Sequence, residues 1–253
     1  MPRFRRTMCL LALLAGCTAP PPALPPLTAA QSLAAGRAAL AQGQTDRAVP
    51  LLSDAARARS VPAALILGEL YKSGDGVTED HGEARHWLLI AARAGNARAQ
   101  YDMGELYNVG GLGILQNPKA ALGWYQRAAS SGMARAQYRL AELYRGGTLG
   151  REDDAAALVL YREAAAQGYA PAETALGVAY DQGRGVAQDS RQAMLWLHRA
   201  AAAGDAAAMV QLSTMYTQGD GVTANPATAR SWLARAAAAG SAEAQARLSA
   251  PGL

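Results

Sequence analysis

The chain has 253 residues, with 24 Lys and Arg against 20 Asp and Glu and only two cysteines. So few cysteines exclude a disulfide framework and a thiolate metal cluster. Arg3, Arg5 and Arg6 fall in the opening segment, and the other 21 basic residues against 20 acidic ones leave a net charge of +1, which argues against nucleic acid as a partner.

Residues 1–16 read as a signal segment. Arg3, Arg5 and Arg6 make a basic n-region, and Met8 to Ala15 make an apolar stretch too short to span a bilayer. The stretch ends in Leu14-Ala15-Gly16-Cys17, which resembles the lipobox of bacterial lipoproteins. That resemblance implies that Cys17 is the first mature residue and takes a diacylglycerol on its thiol, while Cys9 leaves with the signal. Thr18 after the cysteine, rather than Asp, implies sorting to the outer membrane, with the protein facing the periplasm. Residues 17–28 are then the lipidated cysteine and a linker. Thr18 to Thr28 holds five prolines in eleven residues. Such a stretch favours extended polyproline, a stiff spacer of roughly 30 Å at about 3.1 Å per residue.

Residues 29–60 are predicted to form a degenerate helix pair, Leu33 to Gln42 and Asp46 to Arg59. Pro50 argues that the second helix starts later than Asp46, since proline suits a first turn and not an interior. Residues 61–240 then repeat. Gly68, Gly104, Ala141, Gly177, Ser213 and Ser249 stand at intervals of 36, 37, 36, 36 and 36 residues, with an alanine five before each and a tyrosine three after the first five. A period of this length predicts an all-α solenoid of stacked, antiparallel helix pairs.

Within the first unit, Ala63 to Tyr71 is predicted as helix A, Lys72 to Glu79 as a loop and Asp80 to Ala92 as helix B. Asp80, Asn117, Asp153, Asp189 and Asn225 are predicted N-caps of the B helices, because their side-chain oxygens can accept first-turn amides. Gly95, Gly132, Gly168, Gly204 and Gly240 follow the B helices, where a left-handed residue ends a helix. Paired alanines such as Ala91-Ala92 allow close approach. Trp87, Trp124, Trp196 and Trp232 are expected to fill the space between units, with Leu160 filling it less well in the third. The loop Val109 to Gly113 is one residue longer than its counterparts, which accounts for the single longer interval. Residues 241–253 read as a capping half-unit and tail.

The combined pattern resembles the Sel1-like repeat, a relative of the tetratricopeptide repeat, over about residues 61–249. The third unit departs from it at Ala141, at Leu160 and in the Gly146-Gly147 loop. The resemblance implies a right-handed superhelix that works as an adaptor, with helix A on the concave side.

Chemistry is scarce. The sequence has no HExxH, GxSxG or GxxxxGK[ST]. His81 and His86 do not share a helical face. Asp75 and Asp220 sit in GDG loops without the later ligands of a calcium loop. Some cysteine-rich relatives handle β-lactams, but their paired cysteines are missing here. No catalytic residue, metal site or cofactor is expected.

In a solenoid, structural positions recur while binding positions vary. Three varying columns share one face of helix A. They read Ile66, Asp102, Arg139, Ala175, Gln211; then Glu69, Glu105, Glu142, Val178, Thr214; then Pro62, Arg98, Arg135, Pro171, Ala207. Glu69, Arg98, Asp102, Glu105, Arg135, Arg139, Glu142 and Gln211 are the candidate partner-binding residues. The competing reading is a solvated face with local pairs, Arg98 with Asp102 and Arg135 and Arg139 beside Glu142. Tyr101, Tyr138 and Tyr169 fall outside the expected core positions. The expectation is a membrane-anchored periplasmic adaptor for a protein partner in an envelope complex, such as polysaccharide export or envelope regulation. The rivals are a cell-wall or β-lactam-handling enzyme, a periplasmic regulator of a sensor kinase, and a carbohydrate-binding solenoid.

Overall fold

The computed structural model describes residues 26–111, 113–147 and 152–249. Cys17 and most of the Pro-rich linker lie outside them. Among the described residues there are thirteen helices and no strand. The first pair is α1 (Ala29–Ala41) and α2 (Thr45–Arg57). Five units follow: α3 (Val61–Ser73) with α4 (His81–Arg93), α5 (Ala97–Val109) with α6 (Pro118–Ser130), α7 (Ala134–Arg145) with α8 (Asp154–Ala166), α9 (Ala170–Gln182) with α10 (Ser190–Ala202), and α11 (Ala206–Gln218) with α12 (Pro226–Ala238). A single helix, α13 (Ala242–Ser249), ends the stack. Each helix packs on its neighbours in chain order, so the fold is a solenoid.

The B helices start where their caps predict. Asp80, Asn117, Asp153, Asp189 and Asn225 each accept first-turn amides, as in Ala120 N donating to Asn117 Oδ1 at 3.0 Å. The cap residues also close the loops. Their own N–H groups donate to the carbonyls of Tyr71, Tyr107, Tyr144, Tyr180 and Tyr216 at 2.7–2.9 Å. In the longer second loop, Gly111 and Ile114 exchange both backbone hydrogen bonds, at 2.8 and 2.9 Å, around the extra residue.

The recurring small residue is a contact point. A Cβ on Gly68 would stand 2.5 Å from Leu88 Cγ, one on Gly104 2.5 Å from Tyr125 Cε1, and one on Gly177 2.6 Å from Leu197 Cγ. The position is small because the partner helix B seats a large side chain against its backbone. Those partners, Leu88, Tyr125, Tyr161, Leu197 and Leu233, form a column of buried residues. Gly36 faces Leu52 in the same way, which places the first pair in the series.

Two expectations need correction and one needs refinement. The helix α2 runs straight through Pro50 and begins at Thr45, not later. Proline removes one interior hydrogen bond, and burial of Ala48, Leu52, Ala55 and Ala56 on α2 holds the helix despite it. The tryptophans pack against the core clusters, but three of them keep one part at the surface. Trp87 is buried, but Trp124, Trp196 and Trp232 are only partly so. Their faces carry Arg127, Arg199 and Arg235 at 4.6, 4.7 and 4.1 Å from the ring centres. A cation shields an aromatic face well where the ring borders water. Finally, Tyr101 is in the core, and Tyr138 packs edge-on against Tyr169 at 5.6 Å.

Candidate functional site on the helix A face

Helices α9 and α11 pack against each other directly, and side-chain bonds join other successive A helices. The A helices therefore form the inner face of the stack. The candidate residues lie on it, and most of them tie one unit to the next. Between units one and two, Arg98 Nη2 lies 3.2 Å from Glu69 Oε1 and its Nε donates to Asp102 Oδ2 at 2.9 Å. Lys72 Nζ donates to the other oxygen of Asp102. Asp102 is 1% exposed, so this carboxylate is buried and answered by two cations. Burial opposes the charge on Arg98, yet Asp102 and Glu69 hold its pKa above the ordinary value.

Between units two and three, Arg139 reaches Glu105 at 3.1 Å, and the Tyr125 hydroxyl donates to the same carboxylate at 2.5 Å. Burial first, and then this bond, push the Tyr125 hydroxyl well above the ordinary tyrosine range. The third unit repeats half of the pattern. The Tyr161 hydroxyl donates to Glu142, but Glu142 turns to Arg145 of its own helix at 2.7 Å. The expected grouping of Arg135 and Arg139 beside Glu142 is thus not formed. Arg139 goes back one unit, and Arg135 sits over the Tyr101 ring at 5.8 Å. Gln211 is partly buried in the fifth unit, away from the others.

Four of the candidates, Arg98, Asp102, Glu105 and Arg135, line one cleft of about 320 Å³ with Lys72 and Tyr101. Its lining carries three Lys and Arg side chains against two carboxylates, both of which already accept hydrogen bonds from within the fold. Val109, 70% exposed, forms an apolar edge. His81 is also on the cleft, with Nδ1 3.2 Å from the Gly111 carbonyl and Nε2 3.0 Å from Glu79 Oε1.

Sequence reasoning missed Lys72, Arg145, the two tyrosine donors and Arg247. Arg247 falls in the Asp102–Arg139 column one unit beyond Gln211, and it reaches Thr214 Oγ1 at 3.2 Å as Arg139 reaches Glu105. Its signal was the same 36-residue spacing. Tyr125 and Tyr161 were visible as the two departures from leucine in the column facing the small residue. Lys72 and Arg145 share one further varying column, four residues after the small residue, with Asn108, Asp181 and Thr217, so the same spacing could have found them. Among the described residues, no group of three or more His, Cys, Asp or Glu could hold a metal ion. No helix among them is long and apolar enough to cross a membrane.

A stack of helix pairs with a continuous inner face defines an α-solenoid of the interaction-scaffold class. The Sel1 repeat model matches residues 61–96, 97–133, 134–169, 170–205 and 206–241, and the chain belongs to the Sel1 repeat family. The fold is similar to that of a Sel1 repeat protein from Oxalobacter formigenes, at 30% identity and a TM-score of 0.77, with 86% of each chain covered. It is also similar to c5321, a protective antigen of uropathogenic Escherichia coli with an SLR fold, at 29% identity and a TM-score of 0.76. That match covers 87% of this chain but only 48% of c5321, so the chain spans about half of that protein. The immunity protein Pa5087 from Pseudomonas aeruginosa, at 24% identity and a TM-score of 0.51, shares the fold. No curated protein matches the chain. Sel1 repeats are scaffolds suited to protein–protein interaction.

Proposed function

We propose that this protein is a non-catalytic adaptor of the bacterial cell envelope, held at the outer membrane by a lipid on Cys17 and facing the periplasm. It offers the inner face of its A helices to a protein partner. The observation that carries the reading is the cleft of Lys72, Arg98, Arg135, Asp102 and Glu105, where varying residues of units one to three converge on the inner face of a regular scaffold. Solenoids bind through such extended inner surfaces. The anchor rests on the Leu14-Ala15-Gly16-Cys17 sequence and the Pro-rich spacer after it.

Two experiments test it. A photo-crosslinking residue at position 109, at the exposed edge of the cleft, should trap one envelope protein in the native cell. Arg135→Glu should lose that product, since it reverses a cation on the cleft while leaving the Glu69–Arg98–Asp102–Lys72 tie intact. An unchanged product with Arg135→Glu would move the site elsewhere. Cys17→Ser should release the protein from the membrane fraction, and retention there would remove the anchor. Turnover of peptidoglycan or of a β-lactam by the purified chain would overturn the non-catalytic reading.

A further inference from the structure

The junction of units three and four is built differently from those before it. In the first two junctions, residues of the varying columns seal the groove between successive A helices with ion pairs, Arg98 to Glu69 and Arg139 to Glu105. At the next junction Pro171 and Ala175 take the places of Arg135 and Arg139. Neither can reach Glu142, which pairs within its own helix instead. An unfilled slot of about 210 Å³ remains. Leu158, Tyr161 and Val178 line it together with Tyr138 and Pro171, and its charged residues are balanced, Arg145 and Arg184 against Glu142 and Asp154. Thr174 also lines it, and its buried hydroxyl has no hydrogen-bond partner among the described residues.

The slot and the charged cleft are separate cavities that both border α7. Arg135 of the cleft and Tyr138 of the slot are one turn apart on α7, about 4.5 Å along the helix. A region with an excess of cations and a largely apolar socket with room for one large side chain therefore stand side by side, within reach of one short extended segment. Among the described residues, the Arg184 side chain has no ion pair, and Arg135 meets only an aromatic ring.

From this we infer that the slot between units three and four seats a large apolar side chain, aromatic or leucine-like, of an extended partner segment whose neighbouring acidic residues lie over Arg135. This rests on the adaptor reading and adds the chemistry of the partner. The charge of the cleft selects an acidic segment. The slot supplies the desolvated anchor that carries most of the affinity in such interfaces. Pro171 and Ala175 are the specificity-determining positions, because an arginine at either would close the slot as Arg139 closes the one before it.

The test uses a random heptapeptide library displayed on phage, panned on the protein and on three variants. Ala175→Arg closes the slot with a side chain placed to reach Glu142, and Ala175→Leu fills it without charge. Arg135→Glu reverses the cleft. Thermal melts establish that each variant is folded, and if Ala175→Arg does not fold, Ala175→Leu gives the same reading. Peptides enriched on the native protein should pair a large apolar residue with acidic ones. Their affinity should fall at least about tenfold on both Ala175 variants, the effect of losing one buried anchor. Acidic peptides without an apolar residue, weakened by Arg135→Glu and indifferent to both Ala175 variants, would overturn the slot and leave the adaptor reading standing. No enrichment of any peptide on the native protein would overturn both.

Discussion

Units one to three and units four and five share a backbone and differ in how their inner junctions are joined. In the first group, charged side chains cross from one A helix to the next, and a buried Asp102 is held by Lys72 and Arg98. In the second, the same columns hold Pro171, Ala175, Val178 and Ala207, and α9 packs directly on α11 beside the α10–α11 contact. The tyrosines follow the same division. Tyr125 and Tyr161 replace leucine only in units two and three, where Glu105 and Glu142 stand ready to accept their hydroxyls. The stacking force common to every unit is the large side chain seated on a small residue. Ion pairs between successive A helices are an addition to it, found among the described residues in units one to three, while in unit five Arg247 reaches the neutral Thr214 instead.

The largest test of this difference is Asp102→Ala. It leaves Lys72 and Arg98 without their shared anion, a change that costs roughly 2–3 kcal/mol once their partial exposure is allowed for. A denaturant titration should show it, while Gln211→Ala at the equivalent place in unit five should stay within about 0.5 kcal/mol. Equal losses at the two sites would erase the distinction between the halves. Gly177→Ala comes next, at roughly 1–2 kcal/mol, because its Cβ would stand 2.6 Å from Leu197 Cγ. Gly68→Ala should cost the same, since this contact belongs to both halves, and the pair of melting curves checks it.

Tyr125→Phe should cost about 1 kcal/mol at neutral pH through the lost bond to Glu105. It should also flatten the alkaline side of the stability profile. Burial and the Glu105 carboxylate raise the folded pKa of Tyr125 above the ordinary value of 10.0, so its contribution is complete below that pH and is lost as the pH climbs beyond it. An alkaline slope unchanged in the variant would show that other groups set it. The smallest effect belongs to units four and five. Burial, and then Arg235, lower the pKa of His198 from its ordinary 6.5. The native state therefore resists protonation, and stability declines as the pH falls from about 6.5 toward the lowered value. His198→Gln should remove that decline in melts between pH 7 and pH 5, and an identical profile would clear His198 of any role.

Much of the fold was legible because its rules are short-range. Asp80 and its counterparts cap helices through amides two or three residues away. Gly95 and its counterparts turn the chain at φ between 77° and 91°, a preference of the residue itself. The site was legible only as columns. Asp102 reads as a surface charge beside Arg98, and its burial depends on Lys72, thirty residues earlier. Tyr101 reads as exposed on a helical wheel and becomes core because Tyr125 of the next helix lies 5.8 Å away.

The 36-residue spacing, the caps and the small residues determined by themselves that this chain is a stack of helix pairs, since each is a local preference repeated often enough to be unambiguous. Which varying residues meet was decided only by the tertiary structure. Arg139 finds Glu105 thirty-four residues back, whereas Glu142 finds Arg145 three residues on. That choice turns on whether the following unit offers a long cation or an alanine across the groove. Such a contact depends on the angle at which whole helices stack, and that angle is the sum of every buried contact between them.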